Sequence, residues 1–214
     1  MKKNMYSLIL SEDVVAEIDK LAYEARTNRS NMINRILAEY VSYTTPEKHV
    51  EQIFGYLEDI VSSLKSFQIL QTESQHAFQM RTALAFKYNP SIRYNVEIQG
   101  NGNSQIGQIK ISLRTQNESL IMCLLDFFGL YHKLESAYSN SPGYIDDLKY
   151  VKTITIKEGE EADANSIANA ISDYINVFDK AIKEYFYNLP YTDVANAYVK
   201  KTYTDYIKTK PVIE

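Results

Sequence analysis

Residues 5–41 read MYSLILSEDVVAEIDKLAYEARTNRSNMINRILAEYV, and their patterning decides the N-terminal fold. The first six alternate: Tyr6, Leu8 and Leu10 share one face of an expected strand, Met5, Ser7 and Ile9 the other. Ser11 is a good N-cap, and Glu12 and Asp13 follow in the first turn, where the helix dipole favours anions. Val14, Ile18, Leu21, Ala22 and Ala25 then recur at helical spacing. Arg26-Thr27-Asn28 interrupts that helix. Asn28 is a second N-cap, and Met32, Ile33, Ile36, Leu37, Tyr40 and Val41 form the stripe of a second helix. The layout is one short strand followed by two short amphipathic helices.

Such a unit cannot fold alone. A lone strand leaves both edges unpaired, and so small a core does not offset the conformational entropy of the chain. The simplest remedy is a homodimer in which two strands pair as an antiparallel ribbon and four helices enclose a shared core. That core is expected to contain Tyr6, Leu8, Leu10, Ile18, Leu21, Ile33, Ile36, Leu37 and Tyr40.

The stretch from Tyr6 to Val14, the Ile18-Asp-Lys-Leu-Ala segment, the Asn28-Arg-Ser-Asn-Met-Ile turn and the Leu37-Ala-Glu-Tyr40 end resemble the ribbon-helix-helix DNA-binding proteins of the Arc, MetJ and CopG type. The resemblance covers about one fifth of the chain. It implies an intertwined β-α-α dimer whose ribbon enters the major groove and reads base edges. Carried over by position, the reading side chains are Met5, Ser7 and Ile9. The start of the second helix, Asn28, Arg29, Ser30 and Asn31, would hold phosphate through backbone N–H groups, the helix dipole and Arg29. Lys2 and Lys3 would add backbone contacts from an arm.

Two departures stand out. Members of that family usually carry Arg, Lys, Gln, Asn or Thr on the reading face, and here only Ser7 can hydrogen-bond. The inter-helix turn usually has Gly where Arg26 stands, so Arg26 is expected to be left-handed at a cost of about 1 kcal/mol. Charge is segregated: Glu12, Asp13, Glu17, Asp19 and Glu24 lie on the first helix. Lys2, Lys3, Arg26, Arg29 and Arg35 lie on the arm, the turn or the second helix, as a domain with one DNA-facing side requires.

The boundary is placed at residue 45, giving a dimerisation and DNA-binding domain over 1–45 and a second domain over 46–214. Thr45 caps and Pro46 opens a connecting helix within 46–70, with Val50, Ile53, Leu57, Ile60, Leu64 and Phe67 at 3–4 spacing. It either extends the dimer or packs on the sheet that follows, and the short stripe slightly favours packing. Strands are expected over Thr82 to Tyr88, Ile92 to Ile98, Ile106 to Leu113 and Tyr150 to Lys157, with a hairpin loop at Gln99 to Ser104. Helices are expected from Leu120 to about Ser136, from Ile167 to Tyr185 and from about Thr192 to Ile207. The order predicts an α+β domain with an antiparallel sheet and helices on one face. It matches no family pattern.

The chain has 214 residues, 45% apolar and 23% charged, an ordinary globular composition. One cysteine, Cys123, excludes an intramolecular disulfide and any multi-cysteine zinc site. Eighteen Tyr, eight Phe and no Trp give many amphipathic contact surfaces. The net charge of −4 means that nucleic acid must be met by a local patch. The apolar run Leu8 to Leu10 is too short for a secretory segment, and Leu120 to Tyr131 too short for a membrane span, so a cytoplasmic protein is expected.

His49, His76 and His132 lack metal-ligand spacing. The Asp146-Asp147 and Glu158, Glu160, Glu161 clusters read as solvated loop and helix-start acidity. No nucleophile triad, P-loop or dinucleotide signature occurs, so neither an enzyme nor a bound cofactor is expected. Tyr185, Tyr187, Tyr191, Tyr198, Tyr203 and Tyr206 are interleaved with Lys200, Lys201, Lys208 and Lys210. Packing between helices explains the tyrosines better than stacking on single strands.

The expected function is that of a dimeric, sequence-specific binder of double-stranded DNA, a transcriptional regulator or a plasmid or phage maintenance factor. Its second domain would link dimers on DNA, sense an effector or hold a protein partner. Two alternatives stand beside it. One is an assembly or adaptor protein that uses the N-terminal unit only to dimerise. The other is an antitoxin, against which the long, aromatic second domain argues.

Overall fold

The computed structural model describes residues 5–72, 74–99, 105–157 and 162–213. The chain divides into two compact units, Met1–His49 and Val50–Glu214. The first contains helices α1 (Glu12–Glu24) and α2 (Arg29–Tyr40). Its small core is Ile18, Ala22 and Met32, with Ala25 and Ile33 packed at the edge. Arg26 has φ 50°, as its place in the turn requires. The Thr27 N–H bonds back to the Ala22 carbonyl at 2.8 Å and the Arg26 N–H to Tyr23 at 3.1 Å, a Schellman closure that satisfies two orphan carbonyls. Ser42, φ 56°, repeats the device after α2.

The expected strand over Met5 to Leu10 is not formed in the single chain. The segment precedes α1 and is exposed throughout, with no strand beside it. A strand is stabilised only by an edge to pair with, and all six strands of the sheet belong to the second unit.

That second unit is an α+β structure. Helix α3 (Pro46–Ser63) is followed by β1 (Gln68–Leu70), β2 (Ala77–Ala83), β3 (Ser91–Ile98) and β4 (Gln105–Leu113). Helix α4 (Glu118–Tyr138), strands β5 (Tyr144–Asp146) and β6 (Lys149–Thr155), and helices α5 (Ala164–Tyr187) and α6 (Thr192–Lys208) complete it. The sheet is antiparallel throughout, in the order β1-β2-β3-β4-β6-β5. Gly107 sits where the β4–β6 register shifts, and a Cβ there would collide with the Glu97 carbonyl of β3, so the close approach demands glycine.

Helices cover one face of the sheet. Met80, Tyr94, Ile111 and Tyr150 are paired in sequence across β2, β3, β4 and β6, and all four are fully buried. Against this face α4 sets Phe127, Phe128 and Tyr131, α5 sets Tyr174, Phe178 and Ile182, and α6 sets Val199 and Tyr203. Phe178 is the hub, with ring centroids 4.6 Å from Tyr131, 5.3 Å from Tyr150 and 5.4 Å from Phe127. Each such pair adds about 0.5–1.5 kcal/mol beyond area burial. Helix α3 packs into the same core through Val50, Ile53, Leu57 and Val61, and Phe54 stacks on Phe78.

Burial of polar groups is selective. Glu135 of α4 is completely buried and accepts from the Gly143 N–H at 2.5 Å and the Tyr150 hydroxyl at 2.9 Å. Lys152 Nζ, almost as buried, lies 3.9 Å from it and donates to the Ser141 carbonyl. These bonds tie the 139–143 loop to β6. Burial first, and then the Glu135 charge, push the hydroxyls of Tyr131, Tyr150, Tyr174, Tyr203 and Tyr206 above the ordinary tyrosine range, which keeps them neutral.

Several expected boundaries shift. The strand read at Thr82 to Tyr88 runs instead over Ala77–Ala83, because Tyr88 and Asn89 have positive φ and the chain turns back there, the Leu84 N–H bonding to the Pro90 carbonyl. The connecting helix ends at Ser63, short of residue 70, and Gln68–Leu70 form β1. The three-residue strands β1 and β5 are too short to show a period. The hairpin tip at 100–104 and the Glu158, Glu160 and Glu161 cluster lie outside the described residues.

Candidate nucleic-acid interface

Exposure of large apolar side chains is concentrated in the first unit. Among the described residues, 13 of the 23 exposed large hydrophobics lie between Met5 and Tyr43. A core as small as Ile18, Ala22 and Met32 cannot balance that surface. Of the residues expected in a shared core, Ile18 is buried and Ile33 half-buried within the single chain. Tyr6, Leu8, Leu10, Leu21, Ile36, Leu37 and Tyr40 are exposed.

Exposure along residues 5–10 varies with the alternation of the sequence. Met5 and Ile9 are 97% and 103% exposed, whereas Tyr6, Leu8 and Leu10 are 80%, 61% and 40%. The face read as outward is therefore the more open one. Ser7, on the same face, is exposed. Ser11 has the extended conformation of an N-cap, without a side-chain cap bond.

The start of α2 is built as the sequence suggests. Asn28 Oδ1 accepts from the Asn31 N–H at 2.9 Å. The N–H groups of Arg29 and Ser30 occupy the first turn, where a helix supplies no internal acceptor, and both residues are exposed. Free first-turn donors at the positive end of a helix dipole are the groups by which helix N-termini in general hold anions. Lys2 and Lys3 lie outside the described residues.

Arg29 carries a partner that the sequence reading missed. Its Nε donates to Asp19 Oδ1 at 2.7 Å and its second nitrogen to Oδ2 at 2.5 Å. The hydrogen bond from Arg29 holds the Asp19 carboxyl below its ordinary value. The pair is about half exposed, so solvent screens it and a phosphate can compete for the guanidinium. Acidity along α1 was the only sequence signal, and nothing in the ten-residue separation singles out Asp19.

The remaining chemistry-bearing residues are dispersed. His132 Nδ1 lies 2.6 Å from the Gly143 carbonyl, and Cys123 is half-buried on α4. Among the described residues, no three His, Cys, Asp or Glu side chains stand together as metal ligands. Tyr185, Tyr203 and Tyr206 are core residues, whereas Tyr187, Tyr191 and Tyr198 face solvent. No described helix is long and apolar enough to cross a membrane. Comparison with protein-family models, with curated proteins and with solved structures gave no match to this chain.

Proposed function

We propose that the chain is a homodimeric, sequence-specific binder of double-stranded DNA, a regulator of transcription or of plasmid or phage maintenance. The observation that carries the reading is the unbalanced apolar surface of residues 5–43, a segment without helix or strand followed by two short helices. A second copy covers it by pairing the two extended segments antiparallel, with Tyr6, Leu8 and Leu10 turned inward. Met5, Ser7 and Ile9 then form an outward ridge suited to the major groove, Ser7 as hydrogen-bonding group and Met5 and Ile9 against thymine methyls. The Arg29 and Ser30 N–H groups and the Arg29 guanidinium, oriented by Asp19, grip phosphate on either side. The second unit serves oligomerisation or effector sensing.

The test is fluorescence anisotropy of the full chain on duplex from the gene's own upstream region, against random duplex, across a salt series. Preferential binding that weakens with salt and falls in Arg29→Ala is the expected result. Equal weak affinity for every duplex, without a salt slope, would remove the reading.

One observation favours a second reading. The ridge carries no charge, and Arg29 is already paired with Asp19. On this reading the unit only dimerises the chain, and the second unit holds a protein partner. A stable dimer that retains no DNA, together with a stoichiometric protein partner, would establish it over the first.

A further inference from the structure

The uncovered face of the sheet holds a group of arginines that the proposed N-terminal interface does not use. Arg81 on β2 pairs directly with Arg93 on β3, and Arg93 pairs with Ser112 on β4. The Arg114 N–H bonds to the Ser91 carbonyl, which places Arg114 one pleat further along beside Ser91. Their alternate neighbours Met80, Thr82, Ile92, Tyr94, Ile111 and Leu113 are buried under the helices. Strand alternation therefore turns Arg81, Arg93 and Arg114 to the other side.

Like charges directly opposite across two strands oppose pairing, and no carboxylate is paired with Arg81, Arg93 or Arg114 among the described residues. Arg81 Nε donates to Gln68 Oε1, a neutral acceptor, at 2.9 Å. Arg93 and Arg114 are exposed and make no side-chain hydrogen bond or ion pair among the described residues. Two carboxylates share this face: Glu97, two pleats away and already engaged by Lys110, Gln108 and Asn95, and Asp146 at the far end of the Arg93 row. Lys149 extends the row beyond Ser112 and stands opposite Asp146. Three unneutralised guanidinia within about two strand spacings, about 10 Å, are thus gathered on a chain of net charge −4.

We infer that this face, built by Arg81, Arg93 and Arg114, is a phosphate-contacting surface that holds the backbone of nucleic acid. Planar guanidinia match phosphate oxygens bidentately, and the hydroxyls of Ser91 and Ser112 stand between them as further donors. The floor between the three arginines is Ala83, Ser91 and Ser112, and the large apolar groups Val151 and Tyr144 stand further along, beyond Lys110. A protein partner would need an apolar anchor there, whereas a phosphodiester backbone needs only charge and donors. The grip is independent of base sequence and does not rest on how residues 5–31 are used.

The test is a salt series on random-sequence duplex with the full chain and its R93Q/R114Q double variant. The variant is expected to lower the slope of log K against log salt by about 1.8, which is about 0.9 for each phosphate no longer neutralised. It should weaken all duplexes equally and keep any preference for the upstream sequence, so failure of the N-terminal reading is recognised separately by loss of that preference. The thermal midpoint should stay level or rise, because a repulsion is removed and no partner is orphaned. An unchanged salt slope would overturn the inference. So would a fall in the midpoint, or equal binding of polyglutamate abolished by the same variant.

Discussion

Leu37→Ala tests whether a second copy covers the N-terminal unit. Leu37 lies on α2, 51% exposed in the single chain, on the face expected in the shared core. Truncation to Ala removes about three methylene equivalents at about 0.8 kcal/mol each, about 2.4 kcal/mol for full transfer from water. About half of that transfer remains to be made when the partner docks, and two copies are altered per dimer. The dimer therefore loses about 2.4 kcal/mol, close to a 50-fold rise in its dissociation constant. Sedimentation velocity over a dilution series reads the change. Met122→Ala is the control, since Met122 is 67% exposed on α4 in the other unit and should leave association unchanged. An unchanged dissociation constant for Leu37→Ala, or equal effects of the two variants, would refute the reasoning.

Phe178→Ala, at the aromatic hub of the second unit, should cost about 3–5 kcal/mol in chemical denaturation, and a loss below about 2 would show that the hub collapses without strain. Tyr150→Phe removes one donor to the buried Glu135 carboxylate and should cost about 1.5–3 kcal/mol by the same measurement. For Glu97, burial acts upward on the carboxyl, but the hydrogen bonds from Lys110, Gln108 and Asn95 outweigh it, so its folded value lies below the ordinary 4.5. Its contribution to stability is complete above about 4.5 and is lost as pH falls through the folded value. Glu97→Gln should flatten that acid-side loss in thermal midpoints measured against pH, and an unaltered profile would contradict the assignment.

Much of the second unit was legible because its periods are long and clean. Ile92, Tyr94, Val96 and Ile98 alternate over a whole strand, and the stripes of α5 and α6 run for several turns, so those elements fall close to where the sequence places them. Strands β1 and β5 were not legible, since three residues carry no period. Strand β2 was displaced because the apolar character of residues 82–88 drew the reading past the turn at Tyr88 and Asn89. In the first unit the cap at Asn28 was legible from local chemistry, and the left-handed Arg26 only through the family resemblance. The fate of Met5 to Leu10 was not, because alternation fixes the faces of a strand without saying whether a neighbouring edge exists for it to pair with. The Arg29–Asp19 pair and the Arg81–Arg93–Arg114 face depend on helix docking and strand register, which link residues that no sequence spacing relates.

The proposed function depends on the segment from Met5 to Leu10 becoming a strand against its copy. Hydrogen–deuterium exchange of the full chain, followed residue by residue over a range of protein concentrations, measures it directly. Alternate amides within residues 5–10 should gain protection as concentration rises through the dimer range, while amides of β3 and β4 stay protected throughout. Exchange of residues 5–10 at the rate of an open chain, at every concentration at which β3 and β4 are protected, would contradict it.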